Sequence, residues 1–170
     1  MSFLKPVLAS AALLALSISF ASAQSAKASL MNAKGEAAGQ AQFTQTPAGV
    51  LIRLTLNGLP GERAMHIHAV GKCEPPFTTA GGHFNPGNKK HGLHAADGHH
   101  AGDMPNIVVP ASGSTTVEVL NAAVTLEKGK PNSLIREGGT SIVVHEGKDD
   151  YKSDPAGEAG GRAACGVIME

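Results

Sequence analysis

Between Lys27 and Asn57 apolar and polar residues alternate in short runs broken by turn formers. Val50 to Leu56 is the clearest run: Ile52, Leu54 and Leu56 fall on one face and Arg53 and Thr55 on the other, the two-residue period of a half-buried strand. Ala28 to Met31 and Gln40 to Thr46 read the same way, with Lys34-Gly35 and Pro47-Ala48-Gly49 as turns. Asn57-Gly58-Leu59-Pro60-Gly61 ends the third run, and a further strand is predicted over Ala64 to Ala69. Strand-like runs resume at Ile107 to Val109, Ser114 to Leu120 and Ser141 to His145, and a last one follows Cys165 through Met169. A meander of antiparallel strands accounts for this pattern, and no helix is predicted beyond the first segment of the chain.

Two stretches carry no periodicity. From Gly71 to Pro105 Gly, Pro, Asn, Lys and His take over, and Glu146 to Ala164 is rich in Gly and charge. Long structureless segments in a small domain are unusual and generally functional. Seven of the eight histidines lie between His66 and His100. His66 and His68 flank Ile67 on a predicted strand, where residues i and i+2 project to one face and can offer nitrogens to one ion. Metal coordination would order the first long loop in place of a hydrophobic core. The candidate ligands, in chain order, are His66, His68, His83, His91, His100, Asp103 and His145. Six imidazoles and one carboxylate are too many for one tetrahedral zinc and suit two adjacent metals. Imidazole serves copper and zinc alike, and the carboxylate fits the zinc side better.

The bulk numbers narrow the remaining classes. At 170 residues, with 42% hydrophobic and 16% charged, the chain has the length and composition of one globular domain. With no Trp and one Tyr, the core must come mainly from Val, Ile, Leu and Ala, and nothing suggests stacking on nucleic-acid bases. A formal net charge of zero argues against a polyanion partner. Met1 to Ala23 reads as a secretory signal: Lys5 is its basic part, Val7 to Phe20 its apolar part, and Ala21-Ser22-Ala23 a cleavage site of small residues. Domain residues 24–170 would remain, with 13 basic against 14 acidic groups once Lys5 is removed from 14 and 14. No later segment is long and apolar enough to span a bilayer, which leaves the mature chain with no membrane partner. A bacterial periplasm is the expected location. In an exported chain an even cysteine count favours pairing of Cys73 with Cys165, two free buried thiols being the alternative.

Met65-His66-Ile67-His68, Gly81-Gly82-His83-Phe84-Asn85-Pro86, Lys90-His91-Gly92, His100-Ala101-Gly102-Asp103, Val143-Val144-His145-Glu146 and the run Gly161 to Ile168 together resemble the copper/zinc superoxide dismutases of the bacterial exported type. Six motifs in order make a specific signal, and they cover essentially the whole mature chain. The resemblance implies an all-β, antiparallel Greek-key barrel or sandwich with two long functional loops, an architecture for which this enzyme is itself a standard example. It implies one copper per subunit, held by His66, His68, His83 and His145, and one zinc, held by His83, His91, His100 and Asp103, with His83 shared. Asp149 matches a carboxylate that joins a copper-ligand histidine to a zinc-ligand histidine, here His66 and His91. Arg162 matches the active-site arginine that docks superoxide, and Cys73 with Cys165 the intrasubunit disulfide. Arg162 and His83 are thus the candidate catalytic residues.

Three functions compete. The first is an enzyme that converts superoxide to O₂ and H₂O₂. The second is a non-catalytic exported copper or zinc buffer or copper-delivery module, for which the extra histidines His94 and His99 speak. The third is a structural zinc protein with a vestigial copper half. A complete ligand set, Asp149 and Arg162 favour the enzyme, since storage needs neither a shared ligand nor a docking arginine. His94 and His99 fall outside the ligand pattern and are expected as solvated loop histidines. Lys89 and Lys90 are loop charges or contributors to the potential that attracts an anion. A homodimer is compatible with the sequence.

Overall fold

Alternation seen in the sequence becomes the inside and outside of a curled antiparallel sheet in the computed structural model, which describes residues 23–170. The predicted signal segment lies outside the described residues except for Ala23. Strands β1 (Ser25–Asn32), β2 (Ala37–Thr46) and β3 (Gly49–Asn57) are consecutive and antiparallel. Ala26, Ala28 and Leu30 of β1, Phe43 of β2, and Val50, Ile52, Leu54 and Leu56 of β3 all point into one core. Gly39 marks an irregularity in the β1–β2 register, and a Cβ there would lie 2.2 Å from Thr55 O, so only glycine lets the chain pass so close.

The remaining strands are β4 (Gly61–Arg63), β5 (Met65–His68), β6 (Ile107–Val109), β7 (Ser114–Asn121), β8 (Ser141–His145) and β9 (Arg162–Val167). Seven strands run in the order β5-β8-β9-β1-β2-β3-β7, and β4 with β6 forms a separate ribbon. The pairings β3·β7, β1·β9 and β5·β8 join strands distant in sequence, the long-range connections of a Greek-key β-barrel. Two details differ from the sequence-based expectation. The last strand begins at Arg162 and ends at Val167, so the second long loop closes at Gly161 rather than Ala164. The short strand β4 carries too few residues to show a period. One 3₁₀ turn, Thr78–Ala80, is the helical element of the described residues.

Strands β5 and β8 are buried at every position. Met65, Ile67, Ile142 and Val144 enter the barrel core, and Val143 joins Phe77, Ala80 and Cys165 in a second, smaller cluster outside it. His66 and His68 point the other way, yet are only 0% and 1% exposed. The two long loops cover that outer face, and this is where the chemistry collects.

Candidate metal centre

The edge of β5 that faces away from β8 organises the site. Phe84 N–H donates to Ile67 O (2.8 Å), Ile67 N–H to Gly102 O (2.9 Å) and Ala69 N–H to Gly82 O (2.9 Å), so two pieces of the first loop bond along this edge. The resulting bridges set His68 beside His83 and His66 beside Asp103. Gly102 permits the approach, since a Cβ there would lie 2.2 Å from Ile67 O. Across β8, His145 sits opposite Arg162 of β9.

Two donor sets result. In the first, one nitrogen each from His66, His68, His83 and His145 lies within 4.8 Å of the others; in the second, one nitrogen each from His83, His91 and His100 and a carboxylate oxygen of Asp103 do the same. Hydrogen bonds decide which nitrogen each ring offers. His66 Nε2 donates to Asp149 Oδ2 (2.8 Å), His68 Nδ1 to Gly81 O (2.9 Å) and His145 Nδ1 to Gly160 O (3.4 Å). That leaves His66 Nδ1, His68 Nε2 and His145 Nε2 with their lone pairs free, and these three, with His83 Nε2, are buried without any hydrogen-bond partner. Four orphaned nitrogens in one place would be costly unless a cation satisfies them. In the second set His83 Nδ1, His91 Nδ1 and His100 Nδ1 approach Asp103 Oδ1 at 2.8, 3.1 and 3.3 Å. Three imidazoles and one carboxylate oxygen suit tetrahedral zinc, and four imidazoles suit copper. His83 faces the first set with Nε2 and the second with Nδ1.

Asp103 and Asp149 fix this arrangement. Asp103 Oδ2 accepts the backbone N–H groups of Gly92 (2.9 Å) and His100 (3.1 Å), which orients Oδ1 toward the rings. Asp149 reaches both sets, since its Oδ1 accepts from His91 Nε2 at 3.0 Å. Although burial opposes ionisation of both carboxyls, the contacts of Asp103 with His100, His83 and His91, and of Asp149 with His66 and His91, hold each well below the usual carboxylate range. Burial, then the neighbouring His83 ring, brings His68 down to about 2. Burial likewise takes His83 to about 4 despite its bond to Asp103, and His145 to about 3 with help from His66. Burial also opposes the charge on His91, but hydrogen bonds to Asp103 and Asp149 raise it to about 9.

These shifts predict a stability maximum near neutral pH for the protein stripped of metal. Below about pH 6.5 the unfolded chain takes up protons that folded His68, His83 and His145 refuse, so stability falls as pH falls, and falls further once the unfolded carboxylates protonate. Above about pH 6.5 folded His91 keeps a proton that the unfolded chain has released, so its contribution is lost as pH rises through about 9. Urea midpoints of chelator-treated protein at pH 5, 7 and 9 should be highest at 7. A monotonic series would contradict the assignment of these groups.

Arg162 lies beside the first set. Its Nη1 donates to Phe77 O and its Nη2 to Gly81 O (2.6 Å), the same carbonyl that receives His68 Nδ1. Both carbonyls belong to the segment that the Cys73–Cys165 disulfide ties to β9. All seven predicted ligands and Asp149 therefore come together, with Arg162 alongside. His94 is exposed and its ring meets Tyr151 edge-on at 5.7 Å. His99 is half-buried rather than solvated, and its Nδ1 donates to His100 O (2.7 Å). Lys89 and Lys90 are exposed on a turn closed by Asn85. The sequence reading did not single out Gly157, where a Cβ would lie 1.8 Å from Asp149 Oδ1, and its sole signal was a glycine in a charged loop.

The fold and the donor sets define a β-barrel protein with two adjacent groups of side chains that could each hold a metal ion, His83 offering a nitrogen to each. A family profile described as copper/zinc superoxide dismutase (SODC) matches residues 37–168. Superoxide dismutase [Cu-Zn] 1 of Aquifex aeolicus (strain VF5) is 57% identical over 162 residues, 92% of this chain and 96% of that protein. Among solved structures, a SOD-like protein from Bacillus subtilis superposes with a TM-score of 0.81 at 37% identity, covering 84% of this chain and 97% of that one. The Cu/Zn superoxide dismutase from Brucella abortus gives 0.70 at 26% identity, covering 86% and 100%. The chain belongs to the copper/zinc superoxide dismutase family, whose cofactors are copper and zinc.

Proposed function

We propose that this chain converts superoxide to O₂ and H₂O₂, with copper held by His66 Nδ1, His68 Nε2, His83 Nε2 and His145 Nε2 and zinc by His83, His91, His100 and Asp103. The observation that carries this reading is His83, which has one nitrogen in each donor set and no partner for Nε2. Copper in the first set would supply the redox change, by which one superoxide is oxidised to O₂ and a second is reduced and leaves with two protons as H₂O₂. Whenever it is not engaged by the metal, His83 Nε2 would take up one of those protons and later return it, while Nδ1 stays held on the Asp103 side. Zinc-side contacts keep the ring in place during that exchange.

Superoxide is a small anion with little surface to grip, so charge must capture it. Arg162 is permanently protonated and presents a planar fork of donors, of which two N–H groups are already tied to Phe77 O and Gly81 O. The guanidinium is thereby set in one orientation beside the first donor set. Arg162→Ala should leave both metals bound and lower kcat/KM by roughly tenfold at low salt, as expected for a steering charge, an effect for which superoxide dismutase is itself a standard example. Unchanged catalysis at low salt would remove Arg162 from the mechanism.

Export to a bacterial periplasm, with cleavage after Ala23, belongs to the same reading. It is supported by the pattern of residues 1–23 and by the disulfide, which persists in oxidising compartments. Among the described residues no helix is long and apolar enough to cross a membrane. Metal analysis of the purified mature protein with a superoxide-consumption assay tests the function. Copper and zinc in equal amounts with rapid turnover supports the enzyme, both metals without turnover would favour a metal buffer, and zinc alone would favour a structural zinc protein.

A further inference from the structure

Asp149 has a demanding task in this site. Its carboxylate meets His66 Nε2 at 2.8 Å and His91 Nε2 at 3.0 Å, one ring from each donor set. To meet both rings, the carboxylate must be fixed in position and in rotation. Its backbone is held by a side chain: Asp149 N–H donates to Asn106 Oδ1 (2.8 Å), and Asn106 Nδ2 donates to Asp149 O (2.8 Å). The amide of Asn106 thus gives Asp149 the pair of bonds a neighbouring strand would give. Asn106 is held in turn, since its backbone N–H donates to Tyr151 Oη (2.7 Å). Tyr151 closes the circuit by donating its own N–H to Asp149 Oδ1 (2.6 Å).

Tyr151, the sole tyrosine of the chain, has a φ of 65°, a left-handed conformation that a bulky side chain keeps only when its surroundings hold it. Those surroundings belong to the zinc-side loop. His94 N–H donates to Tyr151 O (3.1 Å), the His94 ring lies edge-on to the phenol, and Gly92, next to His91, passes so close that a Cβ would lie 2.1 Å from Tyr151 O.

We propose that Tyr151 and Asn106 are positioning residues for both metal sites, acting through the Asp149 carboxylate. The proposal rests on the two-metal reading above. Neither residue contributes a donor to either set. Tyr151 fixes where Asn106 stands, Asn106 fixes the Asp149 backbone, and Asp149 fixes the rotation of His66 and His91. His94, which has no place among the ligands, packs against the tyrosine at the rim of this circuit.

The test starts from wild-type protein loaded with both metals. Tyr151→Phe removes one oxygen and keeps the ring. Zinc should then pass to a chromogenic chelator roughly 3- to 10-fold faster, at the low end of what loss of an orienting partner does to metal affinity, and the Cu(II) EPR spectrum should shift as His66 loosens. In an Asp149→Asn background the same substitution should add no further acceleration, because its route to the metals is already cut. Asn106→Ala should act in the same direction, and Asn106→Asp, which keeps the acceptor for Asp149 N–H, should recover part of the loss. Should the Asn106 variants fail to fold, Tyr151→Phe decides alone. Wild-type release rates with an unchanged EPR spectrum would overturn the proposal. So would an equal acceleration with and without Asp149, which would mean a general loosening of the fold. Wild-type protein that takes up neither metal would instead overturn the two-metal reading itself.

Discussion

Replacing Cys73 and Cys165 together by serine is expected to lower the unfolding free energy by about 4 kcal/mol, and the melting temperature by about 10 °C for a domain of this size. The bridge joins residues 92 apart, and a cross-link over so long a loop removes much conformational freedom from the unfolded chain. Chemical denaturation of the metal-free forms is the right measurement, since bound metal would add its own linkage to stability. A loss below about 1 kcal/mol would show that the unfolded chain gains little freedom from the break. Activity of the loaded variant should fall further than its stability. Cys165 packs with Phe77, Ala80 and Val143, and the segment so anchored carries the two carbonyls that hold Arg162. Freed from β9, that segment would leave the guanidinium without its fixed orientation.

How much of this was legible beforehand depends on the kind of signal each residue carries. Val50 to Leu56 announced its inward face because a half-buried strand leaves a two-residue period in the sequence, and the structure has Ile52, Leu54 and Leu56 in the core. Strand β4 left no such trace: three residues are too few for a period, and it exists through pairing with β6. Arg162, Ala163 and Ala164 hid the start of β9 because none is a large apolar residue, and their strand geometry comes from pairing with β8. Histidine identity and spacing revealed the ligands, but not which nitrogen each ring offers. That choice lies with Gly81 O, Gly160 O and Asp149, contacts between residues far apart in sequence. For the same reason Asn106 and Tyr151 could not be found by pattern, since an isolated Asn or Tyr in a loop carries no sign of what it holds.

His83→Ala is expected to disturb both metals at once, and that joint effect separates a shared ligand from two independent sites. Without this ring the first set keeps three nitrogens, from His66, His68 and His145, and the second keeps His91, His100 and Asp103. Each ion would lose one donor, and the cavity left by the ring would admit water to both sides. Competition with chelators should show weaker binding of copper and of zinc, whereas His68→Ala should weaken copper alone and His100→Ala zinc alone. Turnover should drop by about 100-fold or more, because the nitrogen proposed to move a proton would be lost together with the geometry of the first set. The control pair is what gives the result its meaning. A general loosening of the loops would make all three variants lose both metals, while two unconnected sites would leave one metal untouched in His83→Ala. The joint loss follows only if the two nitrogens of one imidazole, Nε2 without a partner and Nδ1 at 2.8 Å from Asp103 Oδ1, serve two ions.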